Sequence, residues 1–214
     1  MKTIPWKDLE GDAGRWREVC QVLNEGGLVC LPCGGSYRIV ADLGSEQAVS
    51  HLLQSKRRIG WAPTLVFVKD ERMLSKVAAT VCPLAKRLIN AFWPGPLTIL
   101  FEANPELPRK VTKALTKANG KLGVRVPDHP VLQQVLRACD RPLFVSSANV
   151  ASRSGASSPA QVRKNFLGRV DVFIDAGDLQ PAPASTVIDV IDDQVQVTRP
   201  GVISDQEIKR VATA

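Results

Sequence analysis

The chain has 214 residues, 44% hydrophobic and 23% charged, enough to bury a sizeable core without disulfides or a structural metal. Its formal net charge of +7 favours an anionic partner such as a nucleotide, pyrophosphate or RNA, while an aromatic content of only 5% argues against an array of base-stacking platforms. No stretch approaches the apolar length that spans a membrane, and Met1 to Trp6 carries no signal-peptide core, so one domain over 1–214 in the cytoplasm is the expectation.

The pattern predicts a helix over Ala13 to Glu25, capped by Asp12 and stopped by Gly26-Gly27. Leu28 to Cys33 reads as a short apolar strand, after which Gly34-Gly35 turn the backbone. Ser45 to Arg57 is a second helix, with Ala48, Val49, Leu52 and Leu53 on one face, and Thr64 to Lys69 is a buried strand. Cys82 to Phe92 is a third helix, stopped by the rigid loop Trp93-Pro94-Gly95-Pro96. Strand Leu97 to Phe101, the basic helix Arg109 to Asn119, strand Leu122 to Val126 and helix Val131 to Cys139 follow. Leu143 to Val145 is a strand running into Ser146-Ser147-Ala148-Asn149.

A polar loop, Ser152 to Ser158, precedes a helix over Pro159 to Phe166 with Ser158 as cap and Pro159 at the first position. Val172 to Ile174 is a short strand, Ser185 to Ile191 and Gln194 to Thr198 form a hairpin through Asp192-Asp193, and Asp205 to Val211 is helical. Helices alternating with strands, then a hairpin, specify an α/β fold on a mixed sheet.

Five cysteines fit a reducing compartment. Cys30 and Cys33 form a CxxC, but on a strand residues three apart face opposite ways, which argues against a redox pair. No second CxxC or histidine cluster completes a zinc site. GxxxxGK[ST], GxGxxG and GxSxG are absent, and His51 and His129 belong to no triad.

Four constellations carry chemistry. Lys56-Arg57-Arg58 ends a helix, where the dipole alone favours cations but where a lysine and an arginine fork also suit phosphate. Ser146 to Asn149 leaves a buried strand at the end where open α/β sheets bind ligands, although such residues also make ordinary turns. Ser185-Thr186-Val187-Ile188-Asp189 alternates as a half-buried strand and is followed by Arg199-Pro200-Gly201. In Gly123-Val124-Arg125-Val126-Pro127, an arginine inside an apolar strand needs an acidic or phosphate partner.

Taken in order, KxR at Lys56 to Arg58, WPGPLT at Trp93 to Thr98, GVRVPDHP at Gly123 to Pro130, SSAN at Ser146 to Asn149, STVID at Ser185 to Asp189 and RPG at Arg199 to Gly201 resemble the YrdC/YciO family of threonylcarbamoyl-adenylate synthases. The resemblance runs from Leu28 to Gly201 and is nearest the YciO branch from Leu107 onward. It implies a twisted mixed sheet with flanking helices and a basic concave face. It also implies a nucleotidyltransferase joining L-threonine, bicarbonate and ATP, with Mg2+ on the triphosphate, into threonylcarbamoyl-AMP and pyrophosphate for tRNA adenosine modification. By that resemblance Lys56 and Arg58 are the catalytic cations, and with Ser147, Asn149 and Arg199 they take ATP. Arg125 would hold the threonine carboxylate, with Ser185, Cys33 and Phe67 on the amino-acid side.

The family pattern Pro-Thr-Asp/Glu-Thr leading into Val-Tyr-Gly-Leu stands here as Pro32-Cys33-Gly34-Gly35-Ser36-Tyr37-Arg38-Ile39. A thiol at Cys33 is a weaker hydrogen-bonding group than the hydroxyl it replaces, and Phe67 occupies a position the family often gives to a polar residue. The departures cluster on the threonine side, so threonine or another amine is the expected acceptor. The alternative is a non-catalytic or altered-substrate RNA-binding relative, supported by basic residues such as Arg109, Lys110, Lys113 and Arg163.

Overall fold

The structure, a computed structural model, describes residues 1–56, 64–116, 120–149 and 156–213. Among them the strands are β1 (Lys2–Pro5), β2 (Val29–Cys33), β3 (Ser36–Asp42), β4 (Leu65–Phe67), β5 (Leu97–Glu102), β6 (Lys121–Arg125), β7 (Leu143–Ser147), β8 (Val172–Asp175), β9 (Thr186–Ile191) and β10 (Gln194–Arg199). They form one sheet in the order β1-β8-β2-β3-β7-β4-β6-β5-β9-β10. Four neighbouring pairs are parallel (β1–β8, β2–β8, β4–β6 and β5–β9) and the rest antiparallel. The sheet is therefore mixed, as the pattern of elements predicts.

The helices are α1 (Ala13–Asn24), α2 (Glu46–Ser55), α3 (Glu71–Leu74), α4 (Pro83–Phe92), α5 (Arg109–Leu115), α6 (Pro130–Cys139), α7 (Pro159–Phe166) and α8 (Asp205–Thr213). Their starts follow from capping chemistry. The Asp12 carboxylate accepts from the amides of Gly14 and Arg15, Ser45 caps α2 through the Ala48 amide, and Ser158 caps α7 through that of Gln161. None of the described helices is long and apolar enough to cross a membrane.

Each face of the sheet has its own core. On one face α1 and α6 lay Val19, Leu23, Val131, Val135 and Leu136 over Val29, Leu31, Val40, Leu143 and Val145. On the other, α2, α4, α5, α7 and α8 cover Cys30, Ile39, Val66, Ile99 and Phe144. Alternation along β2 sends Cys30 into the second core and Cys33 into the first, so the CxxC does not form a pair.

Gly34-Gly35 turn the backbone as expected, closing a tight hairpin in which Cys33 stands opposite Ser36, with Gly34 at φ +59°. Other findings differ from the sequence expectation. β3, which the pattern does not predict, is central, between β2 and β7. The five cysteines are not all thiols, because Cys20 of α1 and Cys139 of α6 are joined in a disulfide.

Candidate functional site

Lys56 caps the C-terminal end of α2 and is buried, with 8% of its surface exposed. Its ammonium donates to Ser146 Oγ at 2.9 Å, to the Ser147 carbonyl at 2.6 Å and to Asn149 Oδ1 at 3.0 Å. A buried ammonium is tolerated only with such a set of oxygens around it. The Ser147 hydroxyl also donates to Asn149 Oδ1. The backbone is fixed from below, since the Ala148 amide donates to the Tyr37 carbonyl and the Tyr37 amide to the Ala156 carbonyl. Lys56, Ser147 and Asn149, predicted together, are thus brought together at the end of β7. Arg58 and most of the loop from Ser152 lie outside the described residues.

Tyr37 anchors this arrangement from β3. Its ring is wholly buried, edge-on to Phe173 at 5.2 Å. Its hydroxyl donates to the Gly177 carbonyl at 2.7 Å and accepts from the Ala176 amide at 3.0 Å. Burial pushes the phenol up to about 12.

A second group is built around Arg125 at the end of β6. The loop between α4 and β5 contains a cis Trp93–Pro94 bond, and a Cβ on Gly95 would lie 2.3 Å from the Phe92 carbonyl oxygen, so only glycine fits there. The Gly95 carbonyl accepts from Arg125 Nε at 2.6 Å, and Arg125 Nη2 pairs with Asp128 at 3.0 Å. The acidic partner that an arginine among valines requires is therefore present. Phe67 stands in register with Arg125, but its ring is wholly buried in the core under α1 and α6. It stands beside Arg125 on the neighbouring strand and presents no accessible surface to an amino acid.

Arg199, at the end of β10, donates to the Ser185 carbonyl at 2.7 Å and to Ser185 Oγ at 3.1 Å. Ser185 Oγ is in turn 3.2 Å from Thr98 Oγ1. β5 and β9 run parallel, with Thr98 opposite Val187, which carries this polar chain to the same end of the sheet as Arg125.

Cys33 and Arg38 complete the site. Arg38 is opposite Leu31 on β2 and Ser147 on β7, and registered partners on neighbouring strands share a face. Its guanidinium lies against the Cys33 sulfur, and its Nε is buried without a hydrogen-bond partner. Burial raises the Cys33 thiol, against the opposing pull of Arg38 and Arg125, so it stays neutral. Arg199 is pushed below the ordinary arginine value, first by burial and then by repulsion from Arg38 and Arg125. Arg38 is a site residue that the motif reading does not single out. The rule applied to Arg125 would have found it, since Arg38 is also a lone cation within an apolar run, Tyr37 to Ala41.

A family model described as Telomere recombination, Sua5/YciO/YrdC, matches residues 21–201. The putatively assigned threonylcarbamoyl-AMP synthase of Methanocaldococcus jannaschii is 33% identical over 190 residues, 89% of this chain and 86% of that protein. The threonylcarbamoyl-AMP synthase of Pyrococcus abyssi is 29% identical over 189 residues, 88% of this chain, and the chain spans only 54% of that protein's length. The crystal structure of P. abyssi Sua5 complexed with L-threonine superposes with a TM-score of 0.85 at 27% identity, covering 98% of this chain and 60% of that one.

Proposed function

This chain belongs to the Sua5/YciO/YrdC family, and on that premise we propose that it is a threonylcarbamoyl-AMP synthase. The observation that carries the proposal is the Lys56 cluster. A buried ammonium holds the Ser146–Asn149 segment at the end of β7, and Arg38, in register with Ser147, lies within electrostatic reach of Arg199, as does Arg125.

The reaction joins L-threonine, bicarbonate and ATP. The amine becomes a carbamate, whose oxygen attacks the α-phosphorus while pyrophosphate leaves with the bonding electron pair. The protein supplies position and charge neutralisation for this chemistry. Ser147, Asn149 and Arg199 take the nucleotide, with Lys56 setting the geometry of the first two. ATP enters as its magnesium complex, the ion riding on the triphosphate. Arg125, already oriented by Gly95 and Asp128, takes the threonine carboxylate, and Ser185 lies beside the amino acid. The product is an activated threonylcarbamoyl group, suited to transfer onto a tRNA adenosine.

The test is pyrophosphate release from ATP in the presence of bicarbonate and magnesium, with and without L-threonine. Threonine-dependent release that is lost in Lys56→Met is expected. ATP binding without any threonine-dependent release would overturn the assignment.

A further inference from the structure

Arg38, Arg125 and Arg199 form a linked group of guanidiniums beside Cys33. Arg38 and Arg125 both act electrostatically on its thiol, and both act on Arg199. The carboxylate that acts on the same thiol is that of Asp128, and it is already paired with Arg125. Three positive charges against one negative leave a local excess of +2 (3 − 1) among these groups. Such a concentration of like charge is unfavourable in the unliganded protein, and after burial it is the repulsion from Arg38 and Arg125 that pushes Arg199 down. It suits a ligand with two negative charges.

The hydrogen-bonding state points to the same residue. Arg125 spends donors on Gly95 and Asp128, and Arg199 spends them on Ser185. Arg38 Nε is buried with no partner, a state that costs free energy unless a ligand supplies an acceptor. A thiol beside it is a poor acceptor.

The proposed reaction passes through a species with two carboxylates. The threonine nitrogen bonds the bicarbonate carbon. Of the two protons the ammonium gives up, one leaves in water with the bicarbonate hydroxide and the other goes to solvent. The product, N-carboxythreonine, carries one negative charge on its α-carboxylate and one on its new carboxylate. Arg125 is assigned the first. We propose that Arg38 holds the second, so that it binds bicarbonate and then the carbamate made from it, orienting the oxygen that attacks ATP. This inference rests on the synthase reading and adds to it a substrate-binding residue for the one-carbon anion.

The test uses succinate, whose two carboxylates are separated by two atoms as in N-carboxyglycine, and butyrate, its single-charge analogue. Calorimetry on the intact protein is expected to show succinate binding at least ~10-fold tighter than butyrate, the factor of one charge-assisted hydrogen bond. The preference should fall to near unity in Arg38→Met, which keeps bulk without charge, and in Arg38→Ala, and persist in Lys110→Met, which removes an exposed cation elsewhere. A wild-type ratio near one, or a ratio that survives loss of Arg38, overturns the proposal. In turnover assays with CO2-depleted buffer, Arg38→Met should raise the apparent KM for bicarbonate by a similar factor and leave those for ATP and threonine within about twofold; a rise confined to ATP would assign Arg38 to the triphosphate and overturn it. Arg38-dependent succinate binding without any pyrophosphate release would retain the dianion site and sink the synthase reading. Threonine-dependent release with no succinate preference would do the reverse.

Discussion

The Lys56 ammonium meets the Ser147 carbonyl oxygen at 2.6 Å across 91 residues of chain, tying the end of α2 to the exit of β7. The same nitrogen reaches Ser146 and Asn149, so one cation sets the shape of the proposed nucleotide side. Lys56→Met removes the charge but keeps the length. The oxygens left behind lose their donor in a buried setting, which costs about 1–3 kcal/mol. Urea denaturation should show that loss, and ATP titration should show weakened binding as Ser147 and Asn149 lose their fixed orientation. Unchanged ATP affinity in a folded variant would separate Lys56 from the nucleotide site.

Arg125 is expected to be intolerant of the change to lysine. A guanidinium can hold Gly95 and Asp128 and still offer a planar edge to a carboxylate, whereas an ammonium on a flexible stem cannot reproduce that fork. Arg125→Lys should raise the KM for L-threonine by roughly 10–100-fold, the equivalent of about 1.5–3 kcal/mol for a hydrogen bond to a charged group. ATP affinity should change less, because Arg125 is bonded to Gly95 and Asp128 and not to Ser147, Asn149 or Arg199, the residues proposed for the nucleotide. Steady-state kinetics with each substrate varied in turn distinguishes the two.

These two groups were legible in the sequence because their neighbours are short-range signals. SSAN follows an apolar strand, and an arginine between valines demands a partner wherever the chain goes. β3 was not legible. Ser36 to Asp42 follows two glycines that, read locally, only break a pattern, and its identity as a strand comes from pairing with β2 and with β7, a hundred residues away in sequence. With β3 unrecognised, Arg38 had no face assigned to it. Its position beside Cys33 depends on the hairpin register and on Gly35, where a Cβ would lie 2.2 Å from the Ala182 backbone nitrogen. Phe67 fails for a related reason: a position three residues into a strand can be placed along the sheet by motif, but whether its ring meets ligand or core depends on α1 and α6 packing over it.

Tyr37 gives the fold an alkaline limit. The phenol sits near 12 when folded and near 10 as a reference group, so between those values the folded state keeps a proton that the unfolded state has lost. Stability therefore falls as pH rises through this window, by up to about 1.4 kcal/mol per unit for one proton. Cys30 and Cys33, also raised by burial, act with the same sign from about pH 9 upward. Tyr37→Phe deletes the donor to Gly177 and the acceptor for Ala176 and should cost about 1–3 kcal/mol at pH 8. Denaturation curves at pH 8 and pH 11 should then show a smaller alkaline loss in the variant than in the wild type. An equal loss in both would place the alkaline sensitivity elsewhere.

Cys33 is where the amino-acid side can be strengthened. The residue is 8% exposed, and its thiol stays neutral and lies against the Arg38 guanidinium. It offers a substrate only a weak S–H donor and a weak sulfur acceptor. Cys33→Thr places a hydroxyl at the same point on β2, and a β-branched residue suits a strand end. The hydroxyl can accept from Arg38 and still donate to the substrate. The KM for L-threonine should fall by roughly 5–10-fold, the worth of one net hydrogen bond of about 1 kcal/mol or slightly more, with the KM for ATP unmoved. Cys33→Ala, which offers neither donor nor acceptor, should leave the threonine KM at or above the wild-type value. If threonine and alanine at this position behaved alike, the residue would be acting through packing in the core under α1 and α6, and the substrate would not reach it.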